Sequence, residues 1–231
     1  MNNIKLGDTS PQVNDLQVKL KGLGYGIKSD SNFGQNTLGA LHSFQKLNGL
    51  PETDFVDENT YNLIVSDLNN NSLVDKPSLP KIMSLHPKIR FEVLHLFKEL
   101  LKKNLKIRIV QGFRTFAEQD ELYAQGRTKP GSIVTNARGG FSNHCYGLSI
   151  DFCILHNDGS ISWSLSEDAN HDGNADWMQV VGLFKSHGYD WGGDWKFKDN
   201  PHIEKTFGLS VRQLLNLYNA FHLDDDGYVT I

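Results

Sequence analysis

Ser142-Asn143-His144-Cys145-Tyr146-Gly147-Leu148-Ser149-Ile150-Asp151 is the stretch on which the reading of this chain turns. From Leu148 to Ile154 it reads as a strand, and the glycine- and serine-rich segment before it reads as a loop. His144 and Asp151 stand seven residues apart, an odd separation that puts side chains on opposite faces of a regular strand. Both can aim at one point only if the chain turns between them, and Gly147 allows that turn. A second imidazole, His202, lies in Trp191-Gly192-Gly193-Asp194-Trp195-Lys196-Phe197-Lys198-Asp199-Asn200-Pro201-His202-Ile203-Glu204. Two imidazoles and a carboxylate from separate segments can fill three corners of a tetrahedral zinc site. The fourth corner then stays open for water, as catalysis requires.

Around this stretch helices alternate with short strands. Val93, Leu94, Phe97, Leu100 and Leu101 form one face of an amphipathic helix between Lys88 and Lys103. Ile107 to Val110 is a strand candidate. Thr115-Phe116-Ala117-Glu118 is a capping box opening a helix that runs to Gly126. Trp177, Val180, Val181 and Phe184 mark another helix, closed by Gly188, and Ser210 with Gln213 caps a last one through Phe221. Helices, short strands and long loops together predict an α+β fold with a small antiparallel sheet, not a doubly wound one.

Before residue 69 the chain reads differently. Ser10-Pro11 is a cap followed by a proline at the first helical position, and Val13, Leu16, Leu20 and Leu23 form a stripe stopped by Gly24. Leu38, Leu41, Phe44 and Leu47 form a second stripe, and Asp57 caps a third short helix. The division expected is a three-helix unit over residues 1–68, a polar linker with two prolines over 69–80, and a catalytic unit over 81–231.

Composition narrows the function. The 231 residues are 39% hydrophobic and 22% charged, ordinary globular material. A net charge of −4 lacks the basic surplus of a nucleic-acid binder. No apolar run reaches about 18 residues, so no membrane span is expected. The segment Met1 to Asp8 lacks the basic-then-apolar layout of a signal peptide. A monomer made in the cytoplasm is the expectation. Cys145 and Cys153 are read as buried reduced thiols, and His42, His86, His95, His156, His171, His187 and His222 as surface or core filling.

Two resemblances extend these readings. Val13-x-x-Leu16-Gln17-x-x-Leu20-x-x-Leu23-Gly24-Tyr25, followed by Phe33-Gly34-x-x-Thr37-x-x-Ala40-x-x-x-Phe44-Gln45, resembles the three-helix peptidoglycan-binding domain of cell-wall hydrolases. It departs from that pattern at Ser31-Asn32 and Asp54-Phe55, both in turns. Gln111-Gly112-Phe113-Arg114-Thr115, Glu118 to Gly131, Ser142-x-His144-x-x-Gly147-x-x-x-Asp151 and Trp191 to Trp195 resemble the L-alanyl-D-glutamate peptidases. These form a branch of the zinc D-Ala-D-Ala carboxypeptidase-like superfamily that includes phage endolysins.

The resemblance implies His144, Asp151 and His202 as zinc ligands, Asp194 as general base, Arg114 on the substrate carbonyl and Ser142 in support. It implies peptidoglycan as substrate and, for an endolysin, release through a holin pore. The rival within the fold is a D-Ala-D-Ala carboxypeptidase, in which the base precedes the last histidine by three residues. Asp194 precedes His202 by eight, which favours the alanyl-glutamate branch. A rival of another class is a non-catalytic wall-binding protein with structural zinc.

A second metal candidate is the loop Asp168-Ala169-Asn170-His171-Asp172-Gly173-Asn174-Ala175-Asp176, whose alternating oxygen donors and sixth-position glycine resemble a calcium loop. Asp168, Asn170, Asp172, Asn174 and Asp176 would be its ligands, but Gln179 stands where a bidentate glutamate belongs. The alternative is an Asx-rich turn capping the helix at Trp177. Asp224-Asp225-Asp226-Gly227 reads as a solvated end.

Overall fold

The computed structural model describes residues 3–231; Met1 and Asn2, at the head of the segment read as lacking a leader, lie outside the described residues. No helix among the described residues is long and apolar enough to cross a membrane.

The first unit runs β1 (Ile4–Lys5), α1 (Pro11–Gly22), α2 (Gln35–Leu47), β2 (Phe55–Val56) and α3 (Glu58–Asn69), with the two short strands paired antiparallel. Ser10 Oγ accepts from the Val13 amide at 3.2 Å, and Asp57 accepts from Thr60, so both expected caps form. Val13, Leu16, Leu20, Leu41 and Ile64 are sealed from solvent in one cluster. Within it the buried Gln17 reaches the turn where the family pattern is broken. Its Oε1 accepts from the Asp30 and Ser31 amides, and its Nε2 donates to Asp30 Oδ1, Asn32 O and Thr37 Oγ1. Ser31 holds a φ of 66°, uncommon for a residue with a Cβ, and this network supports it there.

The second unit comprises α4 (Ser78–Met83), α5 (Pro87–Lys102), β3 (Ile107–Gln111), α6 (Phe116–Ala124), β4 (Ser149–Leu155), β5 (Ile161–Ser162), α7 (Asp176–Ser186), β6 (Asp190–Trp191), β7 (His202–Glu204) and α8 (Val211–Asn219). The sheet has the order β3-β4-β7-β6, with β5 also on β4, and every pairing is antiparallel. Along β4, Ile150, Phe152 and Ile154 join the core with Val93, Phe97, Trp177 and Phe184 from α5 and α7. Asp151 lies between them in the sequence and so points to the other face. Helices cover one side of the sheet and leave the other for chemistry.

The stretch expected as a linker is ordered instead. Residues Asn70–Leu73 form a 3-10 turn, Val74 is buried in the second core, and α4 begins at Ser78. Ser78 Oγ accepts from the Ile109 amide at 2.9 Å, and Asp75 receives two hydrogen bonds from Arg108, tying this strap to β3. Polar residues and prolines suggested a free tether because their partners lie some thirty positions away. The units also touch directly: Tyr25 stacks on Phe91 of α5 at 4.5 Å, and the buried Lys98 pairs with Asp67 at 3.0 Å. The chain end is ordered too. Asp224 closes a turn by accepting from the Asp226 and Tyr228 amides, and the buried Val229 offers its carbonyl to His86 Nε2 at 2.8 Å.

Candidate active site

Strand register brings the first two ligands together: Asp151 on β4 pairs directly with His202 on β7. Asp151 Oδ1 lies 3.2 Å from His202 Nδ1 and 3.3 Å from His144 Nε2. His144 arrives from the 3-10 turn Asn143–Tyr146, which Gly147 closes at a left-handed φ of 66°. A Cβ there would sit 2.6 Å from the His86 amide nitrogen, so the turn both needs and admits only glycine. The three ligand atoms lie within 4.8 Å of one another, the metal-capable grouping found among the described residues.

The remaining ring nitrogens fix which atoms face that point. His144 Nδ1 lies 2.8 Å from the Gly112 carbonyl, which can only accept, so Nδ1 carries the proton and Nε2 the lone pair. His202 Nε2 lies 2.8 Å from Glu204 Oε2, itself held by Asn143 Nδ2 at 2.8 Å, so Nδ1 of His202 turns toward Asp151. Each ligating histidine thus has the hydrogen-bonded outer partner typical of metal sites. Burial works against ionising Asp151, but the His144 and His202 imidazoles beside it outweigh that and hold the carboxyl well below the usual range. Burial also opposes a charged His202, yet Asp151 and Glu204 push it up to about 9. The site is built for positive charge, and its donor set of two imidazoles and one carboxylate suits zinc with a position left open.

A cleft of about 560 Å³ opens over these groups and is lined by Arg114, Ser142, Asn143, Trp195 and Asp199 among others. Arg114 is anchored twice: its amide donates to the His144 carbonyl at 3.0 Å, and Nη1 donates to Gln119 Oε1 at 2.7 Å. The Thr115–Glu118 capping box forms as expected and starts α6 just beyond it. Ser142 precedes the His144 turn, with its carbonyl accepting from the Cys145 amide. Cys145 and Cys153 are free and buried.

Asp194 is the correction. It ends the 3-10 turn Gly192–Asp194, is half-exposed, and accepts from Lys185 Nζ on α7 at 2.7 Å, outside the cleft lining. The turn is fixed from beneath. The Gly192 carbonyl accepts from both the Trp195 and Asp199 amides, and Gly193 lies against the Trp191 ring, where a Cβ would come within 2.2 Å.

Besides Asp151 and Glu204, the carboxylate that lines the cleft is Asp199. Its carbonyl accepts from the His202 amide at 3.1 Å, so one tight turn carries both residues. Its pKa is raised, first by burial against the cleft wall and then by the negative charge of Asp151, while His202 and His144 act the other way. The signal was present in the sequence as Asp199-x-x-His202, the three-residue spacing attributed to the rival. The conspicuous glycine and tryptophan neighbours of Asp194 drew attention from it. The spacing argument for separating the two branches fails with that correction. Glu204 and Gln119 were likewise missed, because a buried polar side chain is visible only once its neighbours are known.

The acidic loop is arranged differently. Asp168 accepts from the Asp172 and Gly173 amides at 3.0 and 2.9 Å, and Asp172 accepts from the Asn174 amide and from Gln179 Nε2. These are Asx turns leading into α7. Asp176 is buried in the first turn of that helix. One of its oxygens accepts from the Ala169 amide, the other has no partner, and burial raises its pKa.

Comparison with known proteins bears on both units. Residues 9–64 match the model of a putative peptidoglycan binding domain, and residues 135–205 that of a D-alanyl-D-alanine carboxypeptidase family. The peptidoglycan L-alanyl-D-glutamate endopeptidase CwlK of Bacillus subtilis (strain 168) is 50% identical over 137 residues, covering 59% of this chain and 80% of the relative. Among solved structures, the L-Ala D-Glu endopeptidase ChiX of Serratia marcescens is 24% identical, with a TM-score of 0.40, over 57% of this chain and 88% of that one. A fused Zn-dependent amidase/peptidase/peptidoglycan-binding domain-containing protein of Clostridium acetobutylicum ATCC 824 is 33% identical, with a TM-score of 0.27, over 27% of this chain and 28% of that one. Its convergent His-Asp-His site and its identity to a curated relative covered over most of its length together make this chain a member of the peptidoglycan L-alanyl-D-glutamate endopeptidase family of zinc peptidases.

Proposed function

We propose that this protein hydrolyses the bond between L-Ala and D-Glu in the peptidoglycan stem peptide, with its first unit holding it on the wall. The observation that carries the reading is the convergence of His144 Nε2, Asp151 Oδ1 and His202 Nδ1 on one point at the floor of a cleft. Zinc held there would supply Lewis acidity and bring the pKa of water near 7. Asp199, on the same cleft, takes the proton of the attacking water and returns it to the departing amine of D-Glu. Arg114 faces the oxygen on which negative charge develops, a contribution on the order of 3 kcal/mol by comparison with a single oxyanion-hole donor. Ser142 lines the cleft beside His144 and supports the substrate. Attachment to a wall-binding unit raises the effective concentration of the peptidase at an insoluble polymer.

Mass spectrometry of digested peptidoglycan tests this. The reading expects a new N-terminal D-Glu with L-Ala retained on muramic acid; release of free D-Ala would instead support the carboxypeptidase. Wall-binding without any new amine would support the non-catalytic alternative. We read the setting as that of an endolysin made in a host cytoplasm and admitted to the wall through a holin pore, which fractionation with and without holin tests.

A second reading concerns the loop at 168–176. The partnerless, buried Oδ1 of Asp176 favours a cation there, calcium by the hardness of its oxygen donors. Calorimetric titration of the zinc-loaded protein with calcium, repeated on Asp176→Asn, tests it; equal heats from both would remove this reading.

A further inference from the structure

We infer that Gln119 is a positioning residue that aims the Arg114 guanidinium into the cleft and couples it to the segment of the cleft lining that carries Thr135 and Ala137. This rests on the role proposed above for Arg114. Gln119 is fully buried and is the buried residue of α6. A buried amide is costly unless its groups are bonded, and here both ends are. Oε1 accepts from Arg114 Nη1 at 2.7 Å, while Nε2 donates to the Ala137 carbonyl at 2.8 Å and reaches Thr135 Oγ1 at 3.3 Å. The amide cannot be reversed, because a guanidinium only donates and a carbonyl only accepts.

Folding alone does not call for this residue. The Thr115–Glu118 capping box and the packing of Phe116 on Tyr146 and Tyr218 already anchor α6, and an apolar chain of similar volume would fill the space. What glutamine adds is a neutral acceptor for a cation. A carboxylate here would hold Arg114 equally well but would offset the charge that the developing oxyanion needs. Arg114, Thr135 and Ala137 all line the cleft, so a single buried side chain ties two segments of its lining together.

The test uses the zinc-loaded full chain and a soluble muramoyl-tetrapeptide, with kcat and KM measured separately. Arg114→Ala is expected to lower kcat about 10²–10³-fold, as for loss of an oxyanion donor. Gln119→Met is expected to lower kcat about 10–100-fold with KM within about threefold, since misplacing a group costs up to about that much. The double variant is expected to match Arg114→Ala within about threefold, because a positioning residue has nothing left to position. Multiplicative losses in the double variant, or wild-type kcat in Gln119→Met, would overturn the inference. An unaffected Arg114→Ala would instead overturn the role of Arg114 itself. Should Gln119→Met fail to fold, Gln119→Glu serves. It retains the acceptor and pairs its charge, and it is expected to keep KM while lowering kcat; an unchanged kcat counts against the inference.

Discussion

Two loops of this chain look like metal sites in the sequence, and the structure treats them in opposite ways. At 142–151 and 199–204 the ligands come from segments far apart in the chain. Strand register sets Asp151 against His202, and outer partners hold both imidazoles with lone pairs inward. At 168–176 every donor is local, and most of the oxygens are already occupied by neighbouring amides. A long-range site is rigid before a ligand arrives, because the sheet and its core fix the geometry. A local loop can satisfy its own polar groups, so its sequence pattern does not by itself distinguish a cation site from a turn.

Breaking the long-range site should have the largest effect. Asp151→Asn removes the ligand common to both histidine contacts and is expected to abolish bound zinc and lower hydrolysis by about 10³-fold or more, at the upper end of what a ligand or base supplies. Metal analysis beside a turnover assay checks this. Retained zinc with full activity would place the metal elsewhere.

The two aspartates of the 191–204 segment sharpen the same contrast. Asp199→Asn is expected to lower kcat about 10²–10⁴-fold with zinc content unchanged. Asp194→Asn, losing only an exposed pairing with Lys185, is expected to stay within about twofold. The reverse result would restore Asp194 as the base.

Outer partners come next. Glu204→Ala is expected to weaken zinc binding about 10–100-fold, read from competition with a chromophoric chelator, because His202 is then free to rotate or change tautomer.

Stability shows the smallest differences. Asp75 and Arg108 lie 33 residues apart and join the strap to β3. Burial raises the Asp75 pKa, but hydrogen bonds from Arg108 and Ser78 outweigh it and the net shift is downward. A depressed carboxyl pKa stabilises above the unfolded value of about 4 and loses that contribution as pH falls through the folded value. Asp75→Asn is therefore expected to cost about 1.5–3 kcal/mol at pH 7 in urea denaturation, a difference that narrows as pH falls below about 4 and closes once it passes the lowered folded value. Asp172→Ala, in the local loop without added calcium, is expected to cost under about 1 kcal/mol and leave zinc content unchanged.

Much of this was legible beforehand where the cause is local. Ser10, Asp57, Thr115 and Ser210 cap the helices that their spacing announced, since a cap involves residues three positions apart. The metal triad was legible through the resemblance of its surrounding motifs to a peptidase family, and the intervening glycine has a stereochemical reason. The ordered strap at 69–80 was not, because Ser78 and Asp75 find their partners on β3. Nor was the exchange of Asp194 for Asp199, which depends on how Gly192 and Gly193 pack.

The sequence by itself determined the elements, the two-unit division of hydrophobic stripes, and the residue types able to hold zinc, because periodicity, caps and glycine conformation act over a few residues. Tertiary structure decided which carboxylate enters the cleft, which nitrogen of each histidine faces the metal point, and what holds Arg114. Each of those depends on a partner brought close only by strand pairing and core packing, and no spacing along the chain encodes that distance.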